Sequence, residues 1–189
     1  MRSYLTPTAA ALLLVACGGD NRDAMTDTGG VDRPAATMSG ASATAAVRDA
    51  AGRELGTVTF TDTTGGIAVS GRLVGLAPGE HGMHLHAAGR CDPPGFESAG
   101  DHWNPTDRQH GTQNPQGPHS GDLPNVTAGP DSVATIQGVT PGGSLRTSPN
   151  MLLDADGAAL VIHSARDDSS TDPAGGSGNR VACGVISGM

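Results

Sequence analysis

Beyond position 42, the apolar residues lie in short alternating segments that are separated by turn residues. In residues 67–76, for example, Val69, Gly71 and Leu73 occupy every second position. A period of two predicts β-strands, because successive side chains of a strand point to opposite faces. The 29 glycines and 13 prolines disfavour long helices. The other strands predicted in this way are residues 43–48, 56–62, 83–86, 132–137 and 160–163.

Two long stretches rich in glycine and proline interrupt the predicted strands, at about residues 87–127 and 164–179. Loops of this length inside a compact domain are usually either functional or disordered. Six of the seven histidines fall between positions 81 and 119, which favours a functional loop. The sequence therefore predicts an all-β fold, a Greek-key β-barrel or sandwich with two long functional loops.

The N-terminal residues indicate export rather than folding. Residues 1–16 combine Arg2 with a short apolar stretch that is far too short to span a bilayer, which is typical of an export signal. Residues 14–17 resemble a bacterial lipobox, in which Cys17 would be acylated; the alternative is a signal that is simply cleaved. Residues 17–40 have no aromatic side chain and no apolar period, and we expect a flexible tether.

These segments predict a folded domain over residues 41–189 and a location outside the cytoplasm, in the periplasm or cell envelope. The anchor at Cys17 would hold the protein to a membrane. The formal net charge is -8, every cationic side chain is arginine, and no basic run occurs. Nucleic-acid binding is therefore disfavoured.

Two histidines on one predicted strand are the first candidate metal ligands. His84 and His86 are separated by one residue, so both imidazoles lie on one face of the strand. This pair alone is weak support, because it could equally be a polar strand face. His163 ends the apolar run 158–162 and can approach the pair only through the fold. Four imidazoles in a flattened arrangement would suit Cu(II).

The first long loop carries a second candidate set. His102, His110, His119 and Asp122 offer three imidazoles and one carboxylate, which suits tetrahedral zinc. Zinc could also fix a loop that has no core of its own. The alternative, a group of solvated loop residues, leaves the ordering of this loop unexplained. Two four-ligand sites need eight ligand positions, yet only seven side chains are available, so one deprotonated imidazole must serve both metals.

Six short motifs follow one another in a fixed order. They are residues 81–86 (HGMHLH), 99–105 (AGDHWNP), 109–111 (QHG), 119–125 (HSGDLPN), 161–163 (VIH) and 175–186 (GGSGNRVACGVI). In order and spacing, the series resembles the copper/zinc superoxide dismutase family over residues 43–186. Arg90 and the long stretch 91–102 depart from the usual pattern of that family without touching a ligand position.

The resemblance implies the roles of the candidate ligands. Copper would be bound by His84, His86, His102 and His163, and zinc by His102, His110, His119 and Asp122. His102 would bridge the two metals.

The resemblance also implies two supporting residues. His81 would orient the copper site by hydrogen bonding, and Asp167 would link a copper ligand to a zinc ligand. Because Asp168 adjoins Asp167, the register could slip by one residue, and Asp167 could be a solvated loop acid.

The cysteines and one arginine complete the implied site. Cys91 and Cys183 match the family's disulfide, which ties the metal-bearing loop to the strand after Arg180; Cys17 is then the third cysteine, used by the lipid. The alternative of two free thiols is disfavoured in an oxidising compartment. Arg180 matches the residue that attracts superoxide to copper, although it could instead pair with an acidic side chain.

By this resemblance the chain is a superoxide dismutase that cycles copper between Cu(II) and Cu(I), releasing oxygen and then hydrogen peroxide. His102 would have both a metal and a proton role. A copper carrier would be expected to use paired thiolates, and the sequence has no C-x-C or C-x-x-C. A structural lipoprotein on a dismutase-like barrel would be expected to have lost ligands or Arg180, and none is missing. The alternative function that stays open is a non-catalytic copper/zinc-binding lipoprotein. The resemblance leaves both a monomer and a homodimer open.

Overall fold

The computed structural model describes residues 40–147 and 149–188. The predicted export signal, Cys17 and nearly all of the predicted tether lie outside this part of the chain. Within it, nine strands and one short 3-10 turn at Glu97–Ala99 are present, and no helix is long and apolar enough to cross a membrane. The strands are β1 Ser42–Asp49, β2 Glu54–Thr63, β3 Gly66–Val74, β4 Gly79–His81, β5 Met83–His86, β6 Val126–Ala128, β7 Val133–Val139, β8 Ala158–His163 and β9 Arg180–Gly188.

All of these strands belong to one antiparallel sheet that closes on itself. The strand order is β4-β6-β7-β3-β2-β1-β9-β8-β5, so β4 and β5 are the two ends of the sheet. Only Gly82 separates these two strands along the chain. The connection therefore brings the ends of the sheet together, and the result is a nearly closed β-barrel. The predicted all-β class is confirmed.

The predicted strands match the observed ones to within two residues at every boundary. The prediction for β3 runs two residues too far, because Gly75 takes a positive φ of 96° and ends the strand at Val74. The alternation does not predict β4 or β6, since each has only three residues. It also does not predict β9, in which Val181, Ala182 and Cys183 are consecutive rather than alternating apolar residues.

Strand β8 differs from the others because all six of its residues are buried. Leu160 and Ile162 face the main barrel core, whereas Ala159 and Val161 pack against Phe96 and other residues of the 91–100 segment. A strand that is covered on both faces has a continuous apolar sequence rather than an alternating one. This burial carries His163, the last residue of β8, into the interior.

The first long loop folds back along β5 and is held there by its backbone. The N–H of Leu85 donates to the carbonyl of Gly121 at 2.9 Å, and the N–H of Trp103 donates to the carbonyl of Leu85 at 2.8 Å. Isolated bridges pair His84 with Asp122 and His86 with His102. The loop residues next to the predicted ligands are therefore fixed against the strand that carries the other ligands.

A disulfide joins Cys91 to Cys183, across 92 positions of sequence, and confirms the predicted pairing. It fastens the 91–100 segment to β9, where Phe96 and Ala99 form a small apolar cluster with Cys183 and Val161. Arg90 lies at the surface and pairs with Asp92 at 2.8 Å.

We expect the double substitution Cys91→Ala/Cys183→Ala to lower the free energy of unfolding by about 2–5 kcal/mol. The disulfide restricts the unfolded chain over a separation of 92 residues, which gives a large loop-entropy effect. Urea unfolding of the metal-loaded proteins, followed by circular dichroism, measures the difference. As a control, reductant should destabilise the parent and leave the double variant unchanged. Equal unfolding midpoints for parent and variant would contradict this expectation.

Candidate metal centre

Strands β5 and β8 are neighbours in the barrel and deliver three histidines to one place. His84 and His86 lie on β5, and His163 ends β8, which pairs with β5 from Met83↔Ile162 onward. His102 joins them from the loop, through its backbone bridge to His86. All four imidazoles are buried.

Four ring nitrogens in this cluster have no hydrogen-bond partner among the described residues. They are His84 Nδ1, His86 Nε2, His102 Nε2 and His163 Nε2. Potential ligand atoms of the same four residues lie within 4.8 Å of one another. A buried polar atom without a partner costs about 1–3 kcal/mol, so a convergent set of four calls for a shared partner. A metal ion that prefers imidazole ligands fits this set.

The second nitrogen of three of these rings is fixed by an acceptor. His84 Nε2 donates to Asp167 Oδ2 at 2.6 Å, His86 Nδ1 to the carbonyl of Gly100 at 2.8 Å, and His163 Nδ1 to the carbonyl of Gly178 at 3.2 Å. These acceptors place the ring proton on the outward nitrogen. The inward nitrogen of each ring then presents a lone pair.

Burial reinforces this protonation state. It lowers the pKa of His84 to about 4, of His86 to about 2 and of His163 to about 3, with further lowering from neighbouring His102. The hydrogen bond from His84 to Asp167 opposes the shift without reversing it. The three imidazoles are therefore neutral at pH 7, as metal ligation requires.

A second cluster contains the loop ligands. Asp122 Oδ1 lies 3.2 Å from His102 Nδ1, 2.9 Å from His110 Nδ1 and 3.4 Å from His119 Nδ1, and the Nδ1 atoms of His102 and His119 are 3.3 Å apart. A tetrahedron with edges of about 3.3 Å has its centre about 2.0 Å from each corner, which matches zinc bonds to nitrogen and oxygen. Four of the six distances among these atoms are therefore close to the edge length of a tetrahedral zinc site.

A different foursome, His84, His102, His110 and Asp122, also offers ligand atoms within 4.8 Å of one another. However, His84 already donates one nitrogen to Asp167 and presents the other to the first cluster. The short distances from His119 Nδ1 make His119 the better fourth member. His102 alone belongs to both clusters, through Nε2 in the first and Nδ1 in the second.

The carboxylate of Asp122 is held by the backbone as well as by the imidazoles. Its Oδ2 accepts the N–H of Gly111 at 2.8 Å and of His119 at 3.0 Å. Burial acts to raise the pKa of Asp122, but hydrogen bonds with His102, His110 and the Gly111 N–H outweigh it and hold this pKa well below its usual value. Asp122 is thus an anion fixed in orientation.

Asp167 connects the two clusters. It is buried, with Oδ2 2.6 Å from His84 Nε2 and Oδ1 3.1 Å from His110 Nε2. Asn125 fixes its backbone through two hydrogen bonds of 2.9 Å. The neighbouring Asp168 is exposed and instead accepts hydrogen bonds within its own turn, so the register that places Asp167 at this position is the observed one.

The close approach of Gly175 shows how tightly Asp167 is enclosed. A Cβ atom on Gly175, which has a φ of +62°, would lie 2.0 Å from Asp167 Oδ1 and 2.8 Å from His110 Nε2.

Burial acts to lower the pKa of His110, but the two carboxylates, Asp122 and Asp167, raise it to about 9. A metal that binds His110 therefore displaces a proton from it.

His81 supports the first cluster from behind. Its Nδ1 lies 2.6 Å from the carbonyl oxygen of His163 and its Nε2 lies 2.8 Å from the carbonyl oxygen of Ala77. The ring is buried. It therefore fixes the backbone of His163 rather than contributing to either cluster.

Arg180 lies beside the first cluster and is held by carbonyl groups. Its Nη1 donates to Phe96 O and its Nη2 to Gly100 O, both at 2.8 Å. Among the described residues no carboxylate lies within 4.0 Å of this guanidinium, so the alternative of an ion pair is not observed. A cavity of about 620 Å³ is lined by Arg180 together with His102 and His163.

Asp172 is a site residue that the sequence did not indicate. Its Oδ1 accepts the backbone N–H of His110 at 2.6 Å and lies 3.8 Å from His119 Nε2. It thereby ties the second long loop to the loop that carries the second cluster. No motif marks Asp172, because the contact joins positions that are far apart in the sequence.

Cys17, the predicted lipidation site, lies outside the described residues.

The chain is similar to known proteins over most of its folded part. The family model described as copper/zinc superoxide dismutase (SODC) matches residues 54–186. A Cu-Zn superoxide dismutase from Caulobacter vibrioides is 45% identical over 148 residues, which cover 77% of this chain and 85% of the relative.

Solved structures show the same similarity. The Cu/Zn superoxide dismutase from Brucella abortus has a TM-score of 0.61 and 31% identity, covering 77% of this chain and 99% of that structure. A SOD-like protein from Bacillus subtilis has a TM-score of 0.71 and 35% identity, covering 75% of this chain and 95% of that structure. With the nearly closed barrel and the two histidine clusters described above, these similarities show that the chain belongs to the copper/zinc superoxide dismutase family.

Proposed function

We propose that this protein disproportionates superoxide, converting two superoxide anions and two protons into oxygen and hydrogen peroxide. The observation that carries the proposal is the set of four partnerless buried nitrogens beside an arginine that has no carboxylate partner. The first gives a site for a redox metal, and the second gives a site for an anion. Family membership implies copper and zinc as the metals.

His84, His86, His102 and His163 would hold copper. When bound, copper supplies the one-electron couple that the reaction needs. The protein orients the imidazoles: Asp167 and the carbonyls of Gly100 and Gly178 fix three rings from outside, as hydrogen-bonding groups around metal ligands commonly do.

His102, His110, His119 and Asp122 would hold zinc, with His102 common to both metals. The close neighbours of His102 Nδ1 in the second cluster fix the orientation of this ring. Its buried Nε2 lies beside the cavity and would face copper; when copper does not occupy its lone pair, this atom can hold a proton that is passed to a reduced oxygen species.

Arg180 would dock the superoxide anion. A guanidinium stays charged at every relevant pH and has five N–H donors. The carbonyls of Phe96 and Gly100 use two of them, so donors remain for an anion in the cavity. The net charge of -8 repels anions at long range, so attraction must come from a local positive field.

A non-catalytic copper/zinc-binding lipoprotein is the rival function, since some relatives are described only as SOD-like. The complete ligand set and the held Arg180 support catalysis instead. The test combines metal analysis of the purified protein with superoxide decay after pulse radiolysis. Protein that contains one copper and one zinc per chain, yet does not accelerate the decay, would establish the rival.

We also propose that the protein is exported and anchored through Cys17, with the barrel outside the cytoplasm. The lipobox-like residues 14–17 support the anchor. The disulfide between Cys91 and Cys183 supports an oxidising compartment.

The zinc site yields one prediction. Asp122→Ala should weaken zinc binding by at least about tenfold, because the site loses its carboxylate and two backbone N–H groups lose their acceptor. Zinc retention in a chelator series measures the effect, and the visible spectrum of bound copper should change little. Asp131→Ala, which removes the same charge from the turn before β7, is the matched control. Zinc retention equal to that of the parent would show that Asp122 is not a ligand.

The anion site yields a second prediction. Arg180→Glu should lower the second-order rate with superoxide by about tenfold or more at low ionic strength, because a docking charge is reversed. Arg180→Lys should do less harm. Arg72→Glu makes the same charge change on β3, away from the cavity, and should have a small effect. If fully metallated Arg180→Glu keeps the parental rate, Arg180 does not guide the anion.

The proposed lipid anchor yields a third prediction. Cys17→Ser should move the protein from the membrane fraction to the soluble fraction of cells while dismutase activity is retained, because the substitution lies outside the barrel. Fractionation followed by immunoblotting and an activity stain measures both properties. A variant that stays with the membrane would point to a different attachment.

A further inference from the structure

Arg108 lines the same cavity as Arg180. Arg180 begins β9, whereas Arg108 lies in the first long loop between the ligands His102 and His110. Two arginines thus line the cavity, of which the sequence motifs single out only one.

The Arg108 side chain is fixed without being neutralised. Its Nε donates to the carbonyl of Gln116 at 3.0 Å and its Nη2 to the carbonyl of Gly117 at 2.6 Å. Asn104 holds the Arg108 backbone through hydrogen bonds of 3.0 and 2.8 Å. No carboxylate of the described residues lies within 4.0 Å of this guanidinium. Of the five N–H donors of an arginine, three remain available.

The acidic residues of the cavity wall increase the influence of Arg108 on the local electrostatic potential. Three aspartates, Asp101, Asp107 and Asp172, line the cavity with the two arginines. Asp172 is partly engaged, since it accepts the backbone N–H of His110. With carboxylates more numerous than guanidiniums, removal of either arginine would change the local potential by a large fraction. The net charge of -8 supplies no compensation from the rest of the chain.

We propose that Arg108 is a second anion-attracting residue, which raises the concentration of small monoanions at the mouth of the cavity and directs them toward Arg180. It is a specificity-determining residue rather than a catalytic one, and for superoxide this role rests on the proposed dismutase function. The relevant ligand class is a small monoanion, because the cavity combines fixed cations with carboxylates that repel more highly charged anions.

A purely structural role is the competing explanation. The two carbonyl contacts of Arg108 could simply clamp the loop around residues 116 and 117. The two roles respond differently to lysine, which keeps the positive charge but lacks the planar fork that contacts both carbonyls. Arg108→Lys should therefore preserve steering and damage a clamp.

The test uses the full-length protein loaded with copper and zinc, with metal content matched among variants. Arg108→Gln, Arg108→Lys and the control Arg72→Gln are compared. Two quantities are measured across a range of ionic strength: the second-order rate with superoxide, and the affinity for azide from titration of the copper visible absorption. Azide serves as a stable monoanion probe that does not depend on turnover.

We expect Arg108→Gln to lower both the rate and the azide affinity by about two- to tenfold at low ionic strength, with the difference shrinking as salt screens the charge. Arg108→Lys should retain most of both quantities and the parental salt dependence. Arg72→Gln should change little, because β3 does not line the cavity.

Other outcomes overturn the proposal. If Arg108→Gln behaves like Arg72→Gln, Arg108 does not attract anions; if Arg108→Lys fails as Arg108→Gln does, its role is that of a clamp. Should Arg108→Gln lose zinc or fail to fold, the Lys variant decides, and a metallated Lys variant with lost salt dependence overturns the proposal. A parent that binds azide but does not turn over superoxide overturns the dismutase function, while the azide comparison still tests Arg108.

Discussion

The structure depends on the need of buried imidazole nitrogens for partners. Four of them converge within the barrel wall without any protein partner, and one of the four rings, His102, also takes part in the neighbouring cluster through its other nitrogen. An uncompensated group of this kind would be a large penalty in a domain whose net stability is only about 5–15 kcal/mol. Every support around the site can be understood as holding these rings so that their lone pairs face one point.

Some of the groups that fix the imidazoles also fix Arg180. The carbonyl of Gly100 accepts hydrogen bonds from both His86 Nδ1 and Arg180 Nη2, each at 2.8 Å. Phe96, which holds the other guanidinium nitrogen, is packed in the small cluster below the disulfide. A single ten-residue segment fastened by Cys91 therefore positions a ligand of the first cluster and the cation beside it. A shift of this segment would move both together, which explains why the disulfide lies here rather than across the barrel.

Sequence patterns predict the barrel better than they predict its supports. Strands with clear alternation, or with a doubly covered apolar run such as β8, are located to within two residues, whereas β4 and β6 are too short to show a period and β9 has no clear alternation. The seven clustered side chains are marked by residue type and local spacing. Asp172 carries no such mark, because its contact with His110 joins two loops that meet only in the folded chain. Arg108 carries none because its side chain is held by backbone carbonyls, which residues of any type provide. The sequence could not decide between Asp167 and Asp168, since burial alone distinguishes these neighbours.

The stretch of the first long loop from Trp103 to Leu123 is ordered with little apolar burial. Trp103 and Leu123 anchor its two ends in the main apolar core, but no residue between them belongs to that core. The buried side chains of this stretch are instead polar: His110, His119, Ser120 and Asp122. A segment that buries no apolar side chain gains almost nothing from the hydrophobic effect, and the entropy of ordering it must be offset by other interactions. Coordination of zinc by these side chains would provide that compensation, because ligand binding to the folded state alone adds directly to its stability. The loop that carries Arg108 and the bridging His102 would then be ordered by the same ion that orients the reactive imidazole.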